Sequence, residues 1–391
     1  MKIGFLTPEF PHAGIGVSGG IGTSIMNLAK GLEALGNDVL VFVYGQKEDE
    51  IFVENNITFY RIKNVKIKGL SRYLTQKKIE KLLNSLVKKK ELDVVEAPDW
   101  TGITSFIKID CPLVIKLNGS DTYFCHLDNR PVKAINRFHE KRALENADAL
   151  LSVSSYTAAL TTELFGLKRP FTIIPNSIDL SKFENFGSEF DTNEPVILYF
   201  GTLIRKKGLL EMPLIFNKVF EQNPKARLVL VGRDTSDAIT GNASTWEMMQ
   251  PLFDPAALKN VTYSGSVPYD QIKNEILHAS VCIFPTFAEA LPVSWIEAMA
   301  MKKAIVASDI GWAKEVIDDE KDGFLAHPKN HTLFADRITT LLQNKELRTD
   351  FGLAAAQKAA EKFSIHPVAK QNLVFYNKLI ENEEGVKKGH Q

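Results

Sequence analysis

Two glutamates with seven residues between them, Glu289 and Glu297, are the strongest candidates for chemistry in this sequence. Glu289 lies in a predicted loop directly after the apolar run VCIFP (281–285), and Glu297 lies one to two turns into a helix that Pro292 is suited to begin. The neighbours of Glu297 are nearly all apolar, and a carboxylate in such a setting is rarely kept without a polar partner. Since carboxylates commonly hold sugars by accepting hydrogen bonds from two hydroxyl groups, the pair predicts a site for a ribose or a hexose.

A cationic loop, GTLIRKKG (201–208), follows the apolar run VILYFG (196–201). Its three cations are Arg205, Lys206 and Lys207, between two glycines. A pyrophosphate leaving group needs cationic partners as charge develops on it, and lysine supplies a compact one. Taken alone, the segment is better explained by the alternative interpretation, a solvated basic turn.

A glycine-dense segment, GIGVSGGIGTS (14–24), stands between the first predicted strand and the first predicted helix. Glycines let backbone N–H groups approach a ligand closely, and the start of a helix attracts negative charge. The spacing is not that of the dinucleotide-binding fingerprint, and VLVFVYGQ (39–46) lacks the acid that this fingerprint requires. Phosphate binding and a flexible turn therefore both remain open.

Polar residues also follow two further strand-like runs, in EAPDW (96–100) and VIKLNGSD (114–121). Both hydrogen bonding to an acceptor and ordinary turn formation explain them. The candidates are Glu96, Asp99, Trp100, Asn118, Ser120 and Asp121.

These clusters follow predicted strands that alternate with helical segments, a pattern typical of an α/β fold with parallel sheets covered on both faces. We place an N-terminal domain at 1–190 and a C-terminal domain at 191–364, with a polar linker near 184–195. A helix within 365–391 is expected to pack back on the first domain. Two doubly wound sheets whose strand ends face each other would enclose a ligand cleft. The predicted strands are 2–6, 39–44, 57–62, 93–96, 113–117, 149–153 and 171–175 in the first domain, and 196–201, 227–232, 261–265, 281–285, 304–308 and 323–327 in the second.

The composition excludes several classes of protein. The chain has 391 residues, and its 47 basic residues equal its 47 acidic ones, which argues against a protein built to coat nucleic acid. The three cysteines are scattered without metal-ligand or redox spacing, as expected for reduced thiols in the cytoplasm. The start of the sequence is not that of a signal peptide, and no apolar run is long enough to span a bilayer.

With these motifs in place, the sequence resembles family 4 of the glycosyltransferases, a retaining group with the GT-B fold of two Rossmann-like domains. The pair Glu289 and Glu297 matches the most specific motif of that family, and EAMAMKKAIVASDIG (297–311) continues it. SGGIG (18–22) and IIPNSID (173–179) also occur in the family's order, so that the resemblance covers essentially the whole chain.

The resemblance implies a donor site for a nucleotide-diphosphate sugar. Glu289 would contact the donor sugar, Glu297 the nucleotide ribose, and Lys207 the diphosphate. Because Thr202 stands where the family commonly has arginine, Arg205 or Lys206 is expected to supply a second phosphate contact. The remaining implied donor residues are Gly19, Gly20, Ala290 and Leu291, and the acceptor-side residues are Asn118, Asp121 and Asp99.

The implied reaction transfers a hexosyl unit to a glycan or lipid-linked acceptor, in polysaccharide or glycolipid synthesis, by front-face displacement with retention. We expect no metal and no other cofactor, because Lys207 and a helix N-terminus would neutralise the leaving group. The sequence agrees, since it has no Asp-x-Asp cluster and no histidine pair with ligand spacing.

Three other functions fit parts of this pattern. A nucleotide-sugar epimerase would share the nucleotide contacts but would turn over its substrate without an acceptor. A glycoside hydrolase would use Glu289 and Glu297 as acid and nucleophile, although the phosphate-binding features argue against it. A non-catalytic sugar-binding protein would bind nucleotide without turnover.

A charge asymmetry in residues 61–90 raises the question of membrane contact. This segment holds eleven basic residues and one acid, a net charge of +10. Its apolar residues fall mainly on one face of a helix, as in a helix that lies on an anionic lipid surface. The alternative is a helix that covers the first domain's sheet, with merely solvated lysines. Under the first interpretation the protein is cytoplasmic and peripheral on the inner face of the membrane.

Overall fold

A computed structural model describes residues 1–16, 18–183 and 194–388. The chain forms two compact units, one made of Met1–Ile178 with Phe363–Gln391 and the other of Asp179–Lys362. All but the last two residues of the linker predicted at 184–195 lie outside the described residues. Each unit is an α/β domain built on one sheet, and the predicted α/β fold class is confirmed.

The first unit is built on an eight-stranded sheet with the order β3-β4-β2-β1-β5-β6-β7-β8. Its neighbouring strands pair in parallel, except β3 with β4. Buried apolar residues fill the inner strands of this sheet, as expected for a parallel sheet covered on both faces. The strands are β1 (Lys2–Thr7), β2 (Asp38–Gln46), β3 (Glu50–Glu54), β4 (Ile57–Lys63), β5 (Val94–Pro98), β6 (Leu113–Leu117), β7 (Ala149–Ser152) and β8 (Thr172–Ile173).

Strand β3 is absent from the sequence prediction. It is an edge strand whose five residues are mostly exposed, so it lacks the buried apolar run that marks the other strands. It pairs with β4 through a two-residue turn in which Asn55 and Asn56 both have positive φ, of 49° and 60°. Asparagine tolerates this conformation, which the tight hairpin turn between antiparallel strands requires.

The described residues of this unit form six α-helices around the sheet. On the first of them, the apolar residues Ile25, Leu28 and Leu32 are buried, as their spacing predicts. Gly31 on the same helix has space for a hydrogen only, because a Cβ there would lie 2.4 Å from the side chain of Ile365 on the last helix. The helices are α1 (Gly20–Ala34), α2 (Ser71–Lys88), α3 (Asp121–Leu127), α4 (Ala134–Asn146), α5 (Ser155–Phe165) and α14 (Ile365–Lys388).

The basic segment 61–90 contains the end of β4 and all of α2. The apolar face of α2 is a covering face, since Ile79, Leu83 and Leu86 are buried in the core of the first unit. The lysines of α2 therefore lie on the outer side of a helix that packs on the sheet. In the described part of the chain, no helix has the length and apolar character needed to cross a bilayer.

The second unit is built on a six-stranded parallel sheet with the order β11-β10-β9-β12-β13-β14. Its strands are β9 (Val196–Phe200), β10 (Arg227–Val231), β11 (Val261–Tyr263), β12 (Val281–Phe284), β13 (Ala304–Ser308) and β14 (Phe324–Ala326). Its helices are α6 (Met212–Gln222), α7 (Thr245–Met249), α8 (Pro255–Leu258), α9 (Tyr269–His278), α10 (Val293–Ala300), α11 (Ala313–Val316), α12 (His331–Gln343) and α13 (Lys345–Lys358).

Candidate functional site

The two main sequence clusters lie on neighbouring strands of the second unit. The cationic loop follows β9 and the loop that carries Glu289 follows β12, and these strands are paired in parallel. The backbone N–H groups of Phe287 and Ala288 both donate to the carbonyl of Lys206, at 2.8 and 3.1 Å. Gly208 allows this approach, because a Cβ at its φ of +74° would lie 1.8 Å from the Pro285 carbonyl oxygen. The two loops are thus fixed against each other by the backbone.

Lys207 and Glu289 form an ion pair, with 3.1 Å between the Lys207 Nζ and a Glu289 carboxylate oxygen. Both side chains are partly open to solvent, at 22% and 18% exposure. Burial by itself disfavours the Lys207 ammonium, but the Glu289 carboxylate, Tyr199 and Glu297 more than offset it, so the pKa of Lys207 lies above its ordinary value. The lysine is therefore a permanent cation at physiological pH.

Glu297 is the second predicted carboxylate of this site, and it is buried on α10. Pro292 caps the start of this eight-residue helix, one position earlier than its predicted place in the first turn. Ala290 and Leu291, which link the Glu289 loop to α10, are buried as well. Because Glu297 contributes to the raised pKa of Lys207, the three charged side chains form one electrostatic cluster. The spacing of seven residues places one carboxylate in the loop and the other on the helix.

The two other cations of the loop differ from Lys207. The Arg205 guanidinium donates to both carboxylate oxygens of Asp237, at 2.7 and 2.8 Å, in a bidentate pair. This pair lowers the pKa of Asp237 well below its ordinary range. Arg205 is thus committed to a protein carboxylate, and Lys206 fixes the Glu289 loop through its backbone carbonyl. Asp237 gave no signal in the sequence, because it lies 32 positions beyond Arg205 in an irregular polar stretch.

Gly19 and Gly20 belong to the first unit, where Gly19 precedes the first residue of α1 and Gly20 is that residue. Val17, in the same glycine segment, lies outside the described residues. A carboxylate oxygen of Glu9 accepts a hydrogen bond from the Gly22 N–H at 3.1 Å, in the first turn of α1. A Cβ on Gly19 would lie 3.2 Å from the same carboxylate oxygen, whereas Gly20 faces open space. Glu9 therefore orders the glycine segment at the helix start.

The predicted acceptor-side residues meet where β5 and β6 end, also in the first unit. The Asn118 backbone N–H donates to an Asp99 carboxylate oxygen at 2.9 Å. Burial raises the pKa of Asp99 to about 7, and the other carboxylate oxygen of Asp99 has no hydrogen-bond partner among the described residues. Asp121 is instead held by the protein, since it accepts a hydrogen bond from the Asn136 side-chain amide at 2.9 Å. Trp100 and Ser120 serve the local backbone, in a 3-10 turn and as the N-cap of α3.

A buried polar cluster in the first unit joins the predicted candidates Glu96 and Asn118 to Lys116 and Tyr376, which the sequence did not point to. Lys116 on β6 is 3% exposed. Burial lowers the pKa of its ammonium, and the neighbouring Glu96 carboxylate on β5 partly opposes this shift. The Tyr376 hydroxyl on α14 donates to Glu96 at 2.6 Å. Glu96, Lys116 and Asn118 line a small cavity together with residues of α1. The signal was a charge inside each of two apolar strands, VVEAP and LVIKL.

Two family models match consecutive parts of the chain. The model described as Glycosyltransferase Family 4 matches residues 18–182, and the model described as Glycosyl transferases group 1 matches residues 181–358. The matched ranges therefore include the glycine segment from residue 18 onward, the cationic loop and the Glu289–Glu297 motif.

Two curated relatives and one solved structure show the extent of the similarity. The chain is 25% identical to the alpha-maltose-1-phosphate synthase of Mycolicibacterium smegmatis over 410 residues, covering 97% of this chain and all of the relative. It is 28% identical over 214 residues to the N,N'-diacetylbacillosaminyl-diphospho-undecaprenol alpha-1,3-N-acetylgalactosaminyltransferase of Campylobacter jejuni, covering 53% of this chain and 51% of the relative. The crystal structure of Anabaena HepE with UDP-glucose superimposes with a TM-score of 0.74 at 19% identity, over 97% of this chain and all of that one.

The structural similarity, at 19% sequence identity, establishes the fold, and the matches to the family models establish the family. The two matched ranges together run from residue 18 to residue 358 and meet near the boundary between the two compact units. The resemblance seen in the sequence is confirmed. This chain belongs to the family 4 glycosyltransferases and has their GT-B fold.

Proposed function

We propose that this enzyme is a retaining, metal-independent hexosyltransferase that uses a nucleotide-diphosphate sugar as donor. The observation that carries the proposal is the Lys207–Glu289 ion pair in the loops after two paired strands, together with Glu297 on the following helix α10. It combines one permanent cation with two carboxylates. A diphosphate needs the first, and the hydroxyl groups of a sugar and a ribose need the second.

Within the proposed donor site each charge has one task. Lys207 holds the diphosphate, with Lys206 beside it in the same turn, while Arg205 supports the loop through Asp237. Glu289 accepts hydrogen bonds from the donor sugar, and Glu297 accepts them from the ribose. Ala290 and Leu291, which follow Glu289 directly, are assigned to the donor as well. Phosphate binding by Gly19 and Gly20, at the start of α1 in the first unit, remains a prediction. The structure of HepE with UDP-glucose supports this class of donor.

The proposed chemistry is a front-face displacement. The bond between the anomeric carbon and the leaving phosphate oxygen breaks, and the acceptor oxygen bonds to that carbon on the same face. The acceptor's proton moves to the departing phosphate oxygen, which is thereby neutralised. The ion pair supports this course, because a Glu289 carboxylate engaged with Lys207 serves binding and does not have to act as a nucleophile.

The acceptor is assigned to the first unit, to Asp99, Asn118 and Asp121. Asp99 and Asn118 support this assignment because they meet at the carboxyl ends of β5 and β6, where parallel sheets bind their ligands. We propose a glycan or lipid-linked acceptor in polysaccharide or glycolipid synthesis. The name of the Campylobacter relative, which contains a diphospho-undecaprenol, supports the lipid-linked class.

A thermal-shift panel of UDP-, GDP-, ADP- and TDP-sugars tests the donor class. A donor at 100 times its dissociation constant is expected to stabilise the protein by about 2.7 kcal/mol, which raises its melting temperature measurably. Free hexoses at equal concentration serve as the control. Absence of a shift with every nucleotide sugar would contradict the proposal. Conversion of the identified donor without acceptor would indicate the epimerase instead.

Transfer activity is expected to survive an excess of EDTA. The physical reason is that Lys207 and the start of α10 neutralise the leaving diphosphate without a metal ion. The measurement is the initial rate of nucleoside diphosphate release before and after chelation. A complete loss of activity that manganese restores would show that a metal neutralises the leaving group.

A further inference from the structure

Five large apolar side chains of the first unit lie on its surface in two short segments. Ile67, Leu70 and Tyr73 lie just before and within the first turn of α2, and Ile135 and Phe138 lie in the first two turns of α4. Each of the five is between 45% and 57% exposed. Surface apolar residues are ordinary when they are scattered singly, but a contiguous group marks an interaction site.

Aromatic contacts make the two segments continuous. The ring of Phe106 lies between them, with its centroid 6.0 Å from the Tyr73 ring and 6.3 Å from the Phe138 ring. The Arg142 guanidinium lies 4.5 Å over the Phe106 ring, and the Lys77 ammonium lies 5.8 Å from the centroid of Tyr73. We call this surface, made of Ile67, Leu70, Tyr73, Phe106, Ile135 and Phe138, the aromatic–basic patch.

The turn at one end of the patch is well ordered. The Leu70 N–H donates to the Ile67 carbonyl at 3.0 Å, and Gly69 supplies the positive φ of 78° that this turn needs. The Ser71 hydroxyl both accepts from the Ile67 N–H and donates to the Ile67 carbonyl. These hydrogen bonds hold the turn in one conformation with Ile67 and Leu70 exposed, so that little backbone conformational entropy is lost on binding. Lys68 lies at the tip of the turn.

The charge around the patch is mainly positive, although Lys77 and Lys78 form ion pairs with Glu80 and Asp49 at 2.8 and 2.6 Å. Residues 63–79 contain six basic residues and no acid, and residues 133–142 contain four basic residues and one acid. That acid, Glu140, is fully buried, and its carboxylate accepts hydrogen bonds from the Asp121 backbone N–H and the Thr122 hydroxyl. Lys66, Lys68 and Lys133 are exposed, and none of them has an ion pair within the described ranges. Their charge is therefore available to a partner.

The chain topology places the patch at the carboxyl edge of the sheet. Helix α2 follows β4, and α4 runs back toward the start of β7, so both helices begin at that edge. The Arg72 guanidinium donates to the backbone carbonyls of Thr101 and Gly102, directly after Asp99. The patch thus lies on the same edge of this unit as Asp99 and Asn118.

We propose that the aromatic–basic patch docks this unit on the surface of an anionic lipid bilayer. Lysines without partners match anionic headgroups, and Tyr and Phe rings suit the interface between headgroups and acyl chains. Ile and Leu side chains at an ordered turn suit the apolar boundary below the headgroups. The proposed membrane contact is the exposed start of α2, whereas the apolar face of that helix is buried against the sheet. It goes beyond the proposed transfer reaction, which it does not require.

Co-sedimentation of the full chain with vesicles tests the patch without any donor or acceptor. Vesicles of phosphatidylcholine alone are compared with vesicles that contain phosphatidylglycerol, each at low and at high salt. Binding is expected only with phosphatidylglycerol, and it is expected to fall as salt rises. Because each lysine near an anionic surface changes binding about 5-fold, the triple variant K66Q/K68Q/K133Q is expected to bind about 100-fold more weakly. The variant L70S/F138S is expected to lose binding as well.

Matched controls decide whether the patch, and not the net charge, is responsible. The triple variant K81Q/K88Q/K89Q removes the same charge from exposed lysines farther along α2, and I239S removes an exposed isoleucine from the second unit. Both controls are expected to bind like the unchanged protein. The proposal is overturned if the protein stays in the supernatant with phosphatidylglycerol at low salt, or if the controls lose as much binding as the patch variants. Because no transfer is measured, failure here leaves the proposed reaction untouched.

Discussion

Replacement of Lys207 by alanine is expected to lower the rate of sugar transfer about 100-fold or more, since it removes one preorganised partner of the leaving diphosphate. The structure strengthens this expectation in one respect. Because the pKa of Lys207 is raised by the carboxylates around it, the side chain carries its full charge throughout the physiological pH range. The measurement is the initial rate of nucleoside diphosphate release with the donor found in the thermal-shift panel.

The control for this variant is K314A. Lys314 is a lysine of the same unit whose side chain is 74% exposed and whose ion pair with Asp309 lies at the surface. Its replacement is expected to leave the rate unchanged, because exposed pairs contribute little. Melting curves of both variants show whether they are folded. A folded K207A protein with the rate of the unchanged enzyme would remove Lys207 from the donor site.

The two glutamates are expected to fail in different ways when each is changed to glutamine. E297Q is expected to weaken the binding of the free nucleoside diphosphate about 10-fold or more, because a hydrogen bond between a carboxylate and the ribose is worth about 1.5–3 kcal/mol. E289Q is expected to lower turnover about 100-fold while nucleotide affinity is kept or raised. Nucleotide affinity is kept or raised because the Glu289 carboxylate forms an ion pair with Lys207 at 3.1 Å. When that carboxylate is lost, the Lys207 ammonium is available to the diphosphate.

Isothermal titration with the nucleoside diphosphate, followed by rate measurement with the complete donor, separates the two effects. Glutamine keeps the size of each side chain and removes only its charge, so the variants serve as controls for each other. An equal loss of nucleotide affinity in both variants would contradict the division of roles between the sugar and the ribose.

The sequence by itself determined the architecture of both units. Every predicted strand has its counterpart in the structure, and the strands buried on both faces are nearly continuous apolar runs, such as LVIKL and AIVAS. The edge strand β3 was not predicted because it is mostly exposed. That the cationic loop and Glu289 lie at the same edge of one parallel sheet follows from local information, since both come directly after strands, whereas their contact depends on the pairing of β9 with β12.

The partners of the charged side chains, in contrast, were decided only by the tertiary structure. Arg205 is predicted from the sequence as a phosphate ligand, and only the structure shows that its Nε and one Nη donate to the two carboxylate oxygens of Asp237. Tyr376 and Glu96 are 280 positions apart and meet because α14 returns to the first unit. Hydrophobic periodicity is a local property of the chain, whereas an ion pair depends on the distance between two side chains after folding. The sequence therefore determined where the charges stand on their strands and loops, and only the packing of those elements decided which charges are matched within the protein and which are left for a ligand.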